Sequence, residues 1–196
     1  DFLPLFLVAL GFLGLGTGYI LRRNDGFAVP PFSWSVALSV TSLWLSFYEY
    51  DPSINSHNLP PLIILLTLQS ALIYRAPAGA LRPVLRFIAS INISNKLSPY
   101  KTHLHHIRIW GSGFLGTIAL ILVPFGISAI LFRLEIQNSV PDINTLVVVA
   151  WSIAALLISR YLLARVSPVH ELSGWIAGAV AAITALALAA DSESLI

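Results

Sequence analysis

IWGSGFLGTIALILVPFGISAILF, residues 109–132, contains no charged side chain. A helix that crosses the hydrocarbon core of a bilayer needs about 20 apolar residues, within a range of roughly 17–25. The stretch therefore reads as a membrane-spanning helix. Working outward from it, comparable runs fall at about Phe2–Leu21, Phe32–Tyr50, Leu59–Tyr74, Ile143–Ala164 and Leu172–Ala190. The third run is the shortest and extends past Arg75 if that side chain snorkels. The expected fold is an all-α integral membrane protein, a bundle of six transmembrane helices forming one polytopic domain over residues 1–196. An interfacial basic loop is expected between helices 3 and 4.

Composition agrees with this reading. Of the 196 residues, 57% are hydrophobic and 10% charged, against about 25% charged in a soluble domain. The mean hydropathy is +0.82. No room is left for a separate soluble domain, and a basic stripe on a soluble module, which nucleic acid recognition requires, is not expected. The chain has no cysteine, so disulfides, thiolate metal sites and thiol catalysis are excluded. It has no methionine either and begins at Asp1, which fits a processed or incompletely represented chain.

Charge decides the expected topology. With six spans, one side receives Arg22, Arg23, Arg75, Arg82, Arg86, Lys96, Lys101, Arg108, Arg160 and Arg165. The other side receives Asp1, Glu49, Asp51, Glu135, Asp142, Asp191 and Glu193, with Arg133 its one cation. Basic short loops are retained on the cytoplasmic side, so both termini are expected outside, or on the lumenal side in an organelle.

Small residues indicate how the spans pack. Ser35, Ser39, Ser42 and Ser46 recur at spacings of four, three and four, which places them on one face of helix 2. They are expected to face protein, with Trp44 turned to another surface. Gly14 and Gly18 in helix 1, and Gly174 and Gly178 in helix 6, form GxxxG pairs, and Gly111, Ser112, Gly113 and Gly116 make the start of helix 4 thin. In lipid such residues let helix backbones approach closely.

The segment from Arg75 to Arg108 is the candidate binding region. Arg82, Arg86 and Ser90 repeat every four residues, while Leu81, Leu85, Ile88 and Ile91 take another face, as in an interfacial helix. Arg75, Arg82, Arg86, Lys96, Lys101 and Arg108 are the expected contacts to phosphate or anionic headgroups, each worth about 1 kcal/mol beside an anionic leaflet. His103, His105 and His106 are spaced i, i+2 and i+3 without a nearby carboxylate, so no metal site and no cofactor are expected there. Arg160 reads as a snorkelling end residue, and His57 as a solvated loop residue.

Two short strings carry resemblances. Residues 98–106, Ser-Pro-Tyr-Lys-Thr-His-Leu-His-His, look like the histidine motif of polyprenyl-phosphate sugar-1-phosphate transferases, but that family's paired aspartates have no counterpart. Arg75, six residues, then Arg82-Pro83 resembles the first motif of the PAP2 lipid phosphate phosphatases, with Arg75 in place of the usual lysine. Ala-Arg-Val-Ser-Pro-Val-His at 164–170, followed by Gly178, resembles their third motif, and both fall where that six-helix family carries them. The resemblance implies that arginines including Arg165 hold phosphate oxygens, His170 attacks phosphorus and His103 protonates the leaving alkoxide. The sequence departs from the family at three points. The second motif is scrambled around Ser98, Pro99 and His103. The Arg165–His170 spacing is one residue short. Gly174 replaces the carboxylate that orients the histidine, leaving only Glu171 nearby.

The preferred expectation is a non-catalytic integral subunit or scaffold of a larger membrane complex. Its basic face would dock anionic lipids or an acidic partner, beside other membrane subunits. The alternative is a divergent lipid phosphate or pyrophosphate phosphatase with His170, His103 and Arg165 in catalytic roles.

Overall fold

The computed structural model describes residues 3–21, 29–48, 52–75, 100–136 and 142–193. They form six long helices and, among the described residues, no strand: α1 Leu3–Leu21, α2 Val29–Tyr48, α3 Pro52–Arg75, α4 Tyr100–Arg133, α5 Ile143–Tyr161 and α6 Pro168–Glu193. A single 3₁₀ turn, Leu163–Arg165, joins α5 to α6. Five of the helices are long and apolar enough to cross a membrane, so the chain is a multi-pass, all-α membrane protein. The exception by hydropathy is α2, whose 20 residues span about 30 Å at 1.5 Å per residue. Its apolar character is diluted by four serines, all fully buried against protein.

Close approach explains the first helix pair. Pro4, Val8, Gly11, Leu15 and Gly18 form the buried stripe of α1. A Cβ added at Gly14 would stand 2.9 Å from the Pro31 carbonyl oxygen, so α2 packs against bare backbone there. Ser35 donates to the Gly11 carbonyl at 2.7 Å and Ser42 to the Pro4 carbonyl at 3.0 Å, which sets α1 and α2 antiparallel. Trp44, 62% exposed, faces away from this seam. The main core lies between these helices and α3–α4, built around Val8, Leu15, Leu59, Leu62, Leu65, Leu66, Leu115, Ala119 and Leu122. A smaller cluster of Val148, Ala181 and Ala185 with Trp151 joins α5 to α6, and the Trp151 indole donates to the Leu120 carbonyl of α4 at 2.9 Å.

Helix α2 runs Val29–Tyr48 rather than Phe32–Tyr50 and α5 ends at Tyr161 rather than Ala164, while the three largest shifts are at helix starts. Helix α3 starts at Pro52 rather than Leu59 and carries Pro60 and Pro61 inside it. Proline pre-organises a first helical turn, as Pro52 does here, whereas Pro60 and Pro61 stand more than two turns inside α3 and each removes an interior backbone bond. Helix α4 begins at Tyr100 rather than Ile109 and runs for 34 residues, about 51 Å, well beyond a hydrocarbon core of about 30 Å. The Lys101–Arg108 part of the expected basic loop is therefore a helical extension of α4, and the histidine run sits on it. Helix α6 starts at Pro168 rather than Leu172, which moves His170 from a loop into a first helical turn. The interfacial helix expected around Arg82 and Arg86 lies outside the described residues.

Contacts across the bundle show which helix ends lie together. The Tyr74 and His170 rings meet edge to face at 5.4 Å. Ser70 donates to the Ser112 carbonyl at 2.7 Å, and Ser159 to the Glu171 carbonyl at 2.5 Å. The end of α3, the N-terminal part of α4, the end of α5 and the start of α6 thus form one end of the bundle, carrying Arg75, Arg108, Arg160 and Arg165. Arg133, Glu135 and Asp142 lie at the opposite ends of α4 and α5.

Candidate functional site

Ser167-Pro168 begins the site. Serine is a preferred helix N-cap and proline a preferred first residue, and here the Ser167 hydroxyl oxygen accepts the backbone N–H of His170 at 3.3 Å. The cap fixes the first turn of α6 with His170 as its third residue. The imidazole then lies against α3 and α4, 9% exposed.

Helix α4 meets it through the thin stretch noted in the sequence. A Cβ placed on Gly113 would stand 2.7 Å from Cγ1 of Val169, so only glycine allows this approach without displacement. Ser173 of α6 donates to both the Gly113 carbonyl, at 3.1 Å, and the Val169 carbonyl, at 3.0 Å. At this separation the fully buried Ser112 places its Oγ 2.9 Å from Nε2 of His170, while Ser167 Oγ lies 2.7 Å from Nδ1. The Ser112 hydroxyl also reaches the Ile109 carbonyl at 3.2 Å. Two proton arrangements satisfy these contacts. In one, Nδ1–H donates to Ser167 and Ser112 donates to Nε2. In the other, Ser167 donates to Nδ1 and Nε2–H donates to Ser112, which turns its own hydrogen to Ile109. Either neutral tautomer of His170 is therefore accommodated, with Ser112 a hydroxyl in both.

The residues singled out in the sequence are distributed unevenly. His170 is at the centre. Arg75 and Arg165 are exposed at the same end of the bundle, and Arg108 is half-buried one helical turn before Ser112. Lys101 and His103 lie on the first turn of α4, with their side chains outside the described set. Arg82, Arg86 and Lys96 fall outside the described residues altogether. Glu171 does not orient His170: its carboxylate stands 3.5 Å from the Arg160 guanidinium, and Ser167 occupies Nδ1 instead. That ion pair is 70% and 27% exposed on its two sides, where such pairs are worth about 0–1 kcal/mol. Arg160 thus reaches both solvent and a partner. His105 and His106 are exposed with ring centroids 6.3 Å apart, and among the described residues no three His, Asp, Glu or Cys gather as metal ligands.

Sequence reasoning missed the partners of His170. The Ser167-Pro168 capping signature and the Gly-Ser-Gly at 111–113 were both visible, but neither shows that the two segments meet. It also missed Gln69, fully buried in α3, whose Nε2 donates to Ser35 at 2.7 Å and to Ser39 at 2.9 Å. Both hydroxyls are already donors elsewhere, Ser39 to the Ser35 carbonyl at 2.9 Å, so they accept here and the amide orientation is determined. The Gln69 Oε1 atom is left without a partner.

Neither a family model, nor a curated protein, nor a solved structure matches the chain.

Proposed function

We propose that the protein is an integral subunit or scaffold of a membrane assembly whose basic end docks anionic lipid headgroups. The observation that carries this reading is the gathering of Arg75, Arg108, Arg160 and Arg165 at one end of the bundle. Arginine offers several N–H donors in a planar fork suited to phosphate oxygens. The positive-inside rule puts this end on the cytoplasmic side, beside an anionic leaflet. Arg82, Arg86, Lys96 and Lys101 belong to the same expected surface by sequence.

The test is binding of purified protein in neutral detergent to phosphatidylglycerol, compared with phosphatidylcholine. Removing two exposed cations, Arg75→Gln with Arg165→Gln, should weaken phosphatidylglycerol binding by about 2 kcal/mol, roughly 30-fold. Equal affinity for the two lipids would sink the reading.

A lipid phosphate phosphatase is the second reading, and one observation favours it. The Tyr74–His170 contact brings the Arg75 end of α3 beside the histidine that the resemblance makes the nucleophile. Against it, both nitrogens of that ring are already held by serine hydroxyls. Inorganic phosphate released from phosphatidic acid, and lost in both His170→Ala and His103→Ala, would establish the phosphatase.

A further inference from the structure

We propose that Ser112 and His170 form a nucleophile–base pair that cleaves the acyl ester of an anionic glycerophospholipid; the choice of lipid rests on the docking reading above. An activated serine is recognised by a base within hydrogen-bond reach and a third group that orients the base. All three are present: Ser112 Oγ is 2.9 Å from His170 Nε2, and Ser167 Oγ, itself positioned as the α6 cap, is 2.7 Å from Nδ1. When Ser167 only accepts, from the His170 backbone N–H and from Nδ1–H, the Nε2 lone pair is directed to the Ser112 hydrogen. That is the tautomer a general base needs.

The hydroxyl–imidazole contact and its place at the basic end set this cluster apart, and close backbone packing makes the contact possible. Among the other buried serines of the described residues, Ser35, Ser39, Ser42, Ser159 and Ser173 donate to backbone carbonyls and Ser46 has no partner. Ser112 has a carbonyl within reach, at Ile109, and is nevertheless held against the only ring nitrogen that can deprotonate it. The Gly113–Val169 approach leaves no space for a Cβ, as do those at Gly11, Gly126 and Gly174, and here the closeness brings Ser112 within reach of the ring. Finally, the pair sits at the basic end. Arg108 lies four residues before Ser112 on the same helix face, about 6 Å further towards that end. A glycerophospholipid has the same order along its length: phosphate outermost, ester carbonyl a glycerol's length deeper. A headgroup phosphate beside Arg108, Arg75 and Arg165 would hang its ester at the depth of Ser112.

The chemistry balances with water as co-reactant. Ser112 Oγ bonds to the ester carbonyl carbon while its proton moves to His170 Nε2. The carbon–oxygen bond to the glycerol breaks, and the departing alkoxide takes the proton from Nε2. Water, deprotonated by the same nitrogen, then attacks the acyl-serine to release a fatty acid and restore the Ser112 hydroxyl. Ser112 has no exposed surface, so the ester reaches it only when the α6 start moves away from α4. The 3₁₀ turn at Leu163–Arg165 is the joint next to that start. Gating motions of this kind commonly precede chemistry.

The experiment uses the purified full chain with a fluorophosphonate probe, and separately with phosphatidylglycerol or phosphatidylcholine vesicles. The probe's phosphorus–fluorine bond should be replaced by a bond to Ser112 Oγ, found by mass spectrometry on that residue. Free fatty acid should be released from phosphatidylglycerol and fall by about 10²–10⁴-fold in Ser112→Ala and in His170→Gln. Ser167 is a positioning residue: Ser167→Ala should lower kcat with KM unchanged, and Ser167→Thr, which restores a hydroxyl, should recover it. Helical circular dichroism separates lost chemistry from lost fold, and the adduct on unmodified protein does not depend on any variant. Absence of both adduct and fatty acid, or release that survives Ser112→Ala, overturns the pair. Equal release from both lipids overturns the headgroup assignment and leaves the pair standing. Phosphatidylglycerol binding that persists without an adduct leaves the docking reading intact and removes this one.

Discussion

Gly113→Ala should alter the α4–α6 contact in a way that reverses in sign when Val169 is shortened. The added Cβ would stand 2.7 Å from Val169 Cγ1, against the roughly 3.5–4.0 Å of an optimal carbon pair, so the helices must separate by about 1 Å. Val169 cannot turn aside, because a β-branched side chain in a helix has one strongly preferred rotamer. Overpacking of this kind destabilises by about 1–3 kcal/mol, while alanine in place of glycine favours the helix by about 1 kcal/mol. The expected net loss is therefore about 0–2 kcal/mol. Separation should also stretch the 2.9 Å Ser112–His170 contact and the 3.1 Å Ser173–Gly113 contact beyond hydrogen-bond range. In a Val169→Ala background Cγ1 is gone, and Gly113→Ala should become stabilising by up to about 1 kcal/mol. A double-mutant cycle measured by detergent-induced unfolding, followed by tryptophan fluorescence, gives the coupling directly. Equal effects of Gly113→Ala in the two backgrounds would refute the close approach of α4 to α6, and with it the geometry that brings Ser112 to His170.

Other expectations are simpler. Because the chain has no cysteine, single cysteines introduced at Asn24 and Asn95 should label from the same membrane side and one at Asn55 from the opposite side; opposite labelling of the first two would remove the six-span topology. Ser39→Ala should lose only about 0.6 kcal/mol, the average for polar contacts between membrane helices, whereas Ser39→Leu should destabilise by about 1–3 kcal/mol in detergent unfolding, since Ser39 is fully buried. If leucine is tolerated as well as alanine, the serine face does not pack on protein. Gln69→Leu should be nearly neutral in the same assay: about 1.2 kcal/mol from two lost contacts is offset by removing an unpaired carbonyl oxygen. Gln69→Ala should lose at least about 2 kcal/mol through the cavity it opens, and equal losses for leucine and alanine would show that the amide bonds dominate.

What could be read from the chain follows from the length of its apolar runs. Residues 109–132 had to be a spanning helix, because a backbone in lipid must bond within itself. The serine face of α2 was legible for a similar reason. A spacing of four, three and four defines one helical stripe, and a polar stripe in lipid faces protein. Boundaries near proline and at the basic end were less legible. A hydropathy pattern stops where apolar residues stop, whereas α4 continues through Lys101–Arg108 because helical hydrogen bonding does not require apolar side chains.

The site divides along the same line. The sequence by itself determined that glycines thin the start of α4, and it carried in Ser167-Pro168, just before His170, a capping signal that the expected helix start at Leu172 left unused. Both facts depend on neighbours within a few residues. The meeting of Ser112 with His170, 58 positions apart, was decided only by tertiary packing. It needs α4 and α6 to approach within the reach of a missing Cβ, and no local pattern specifies which glycine faces which helix. The replacement of Glu171 by Ser167 as the group holding His170 was decided there too. Starting α6 at Pro168 turns the Glu171 side chain towards Arg160 and leaves the cap hydroxyl beside the ring.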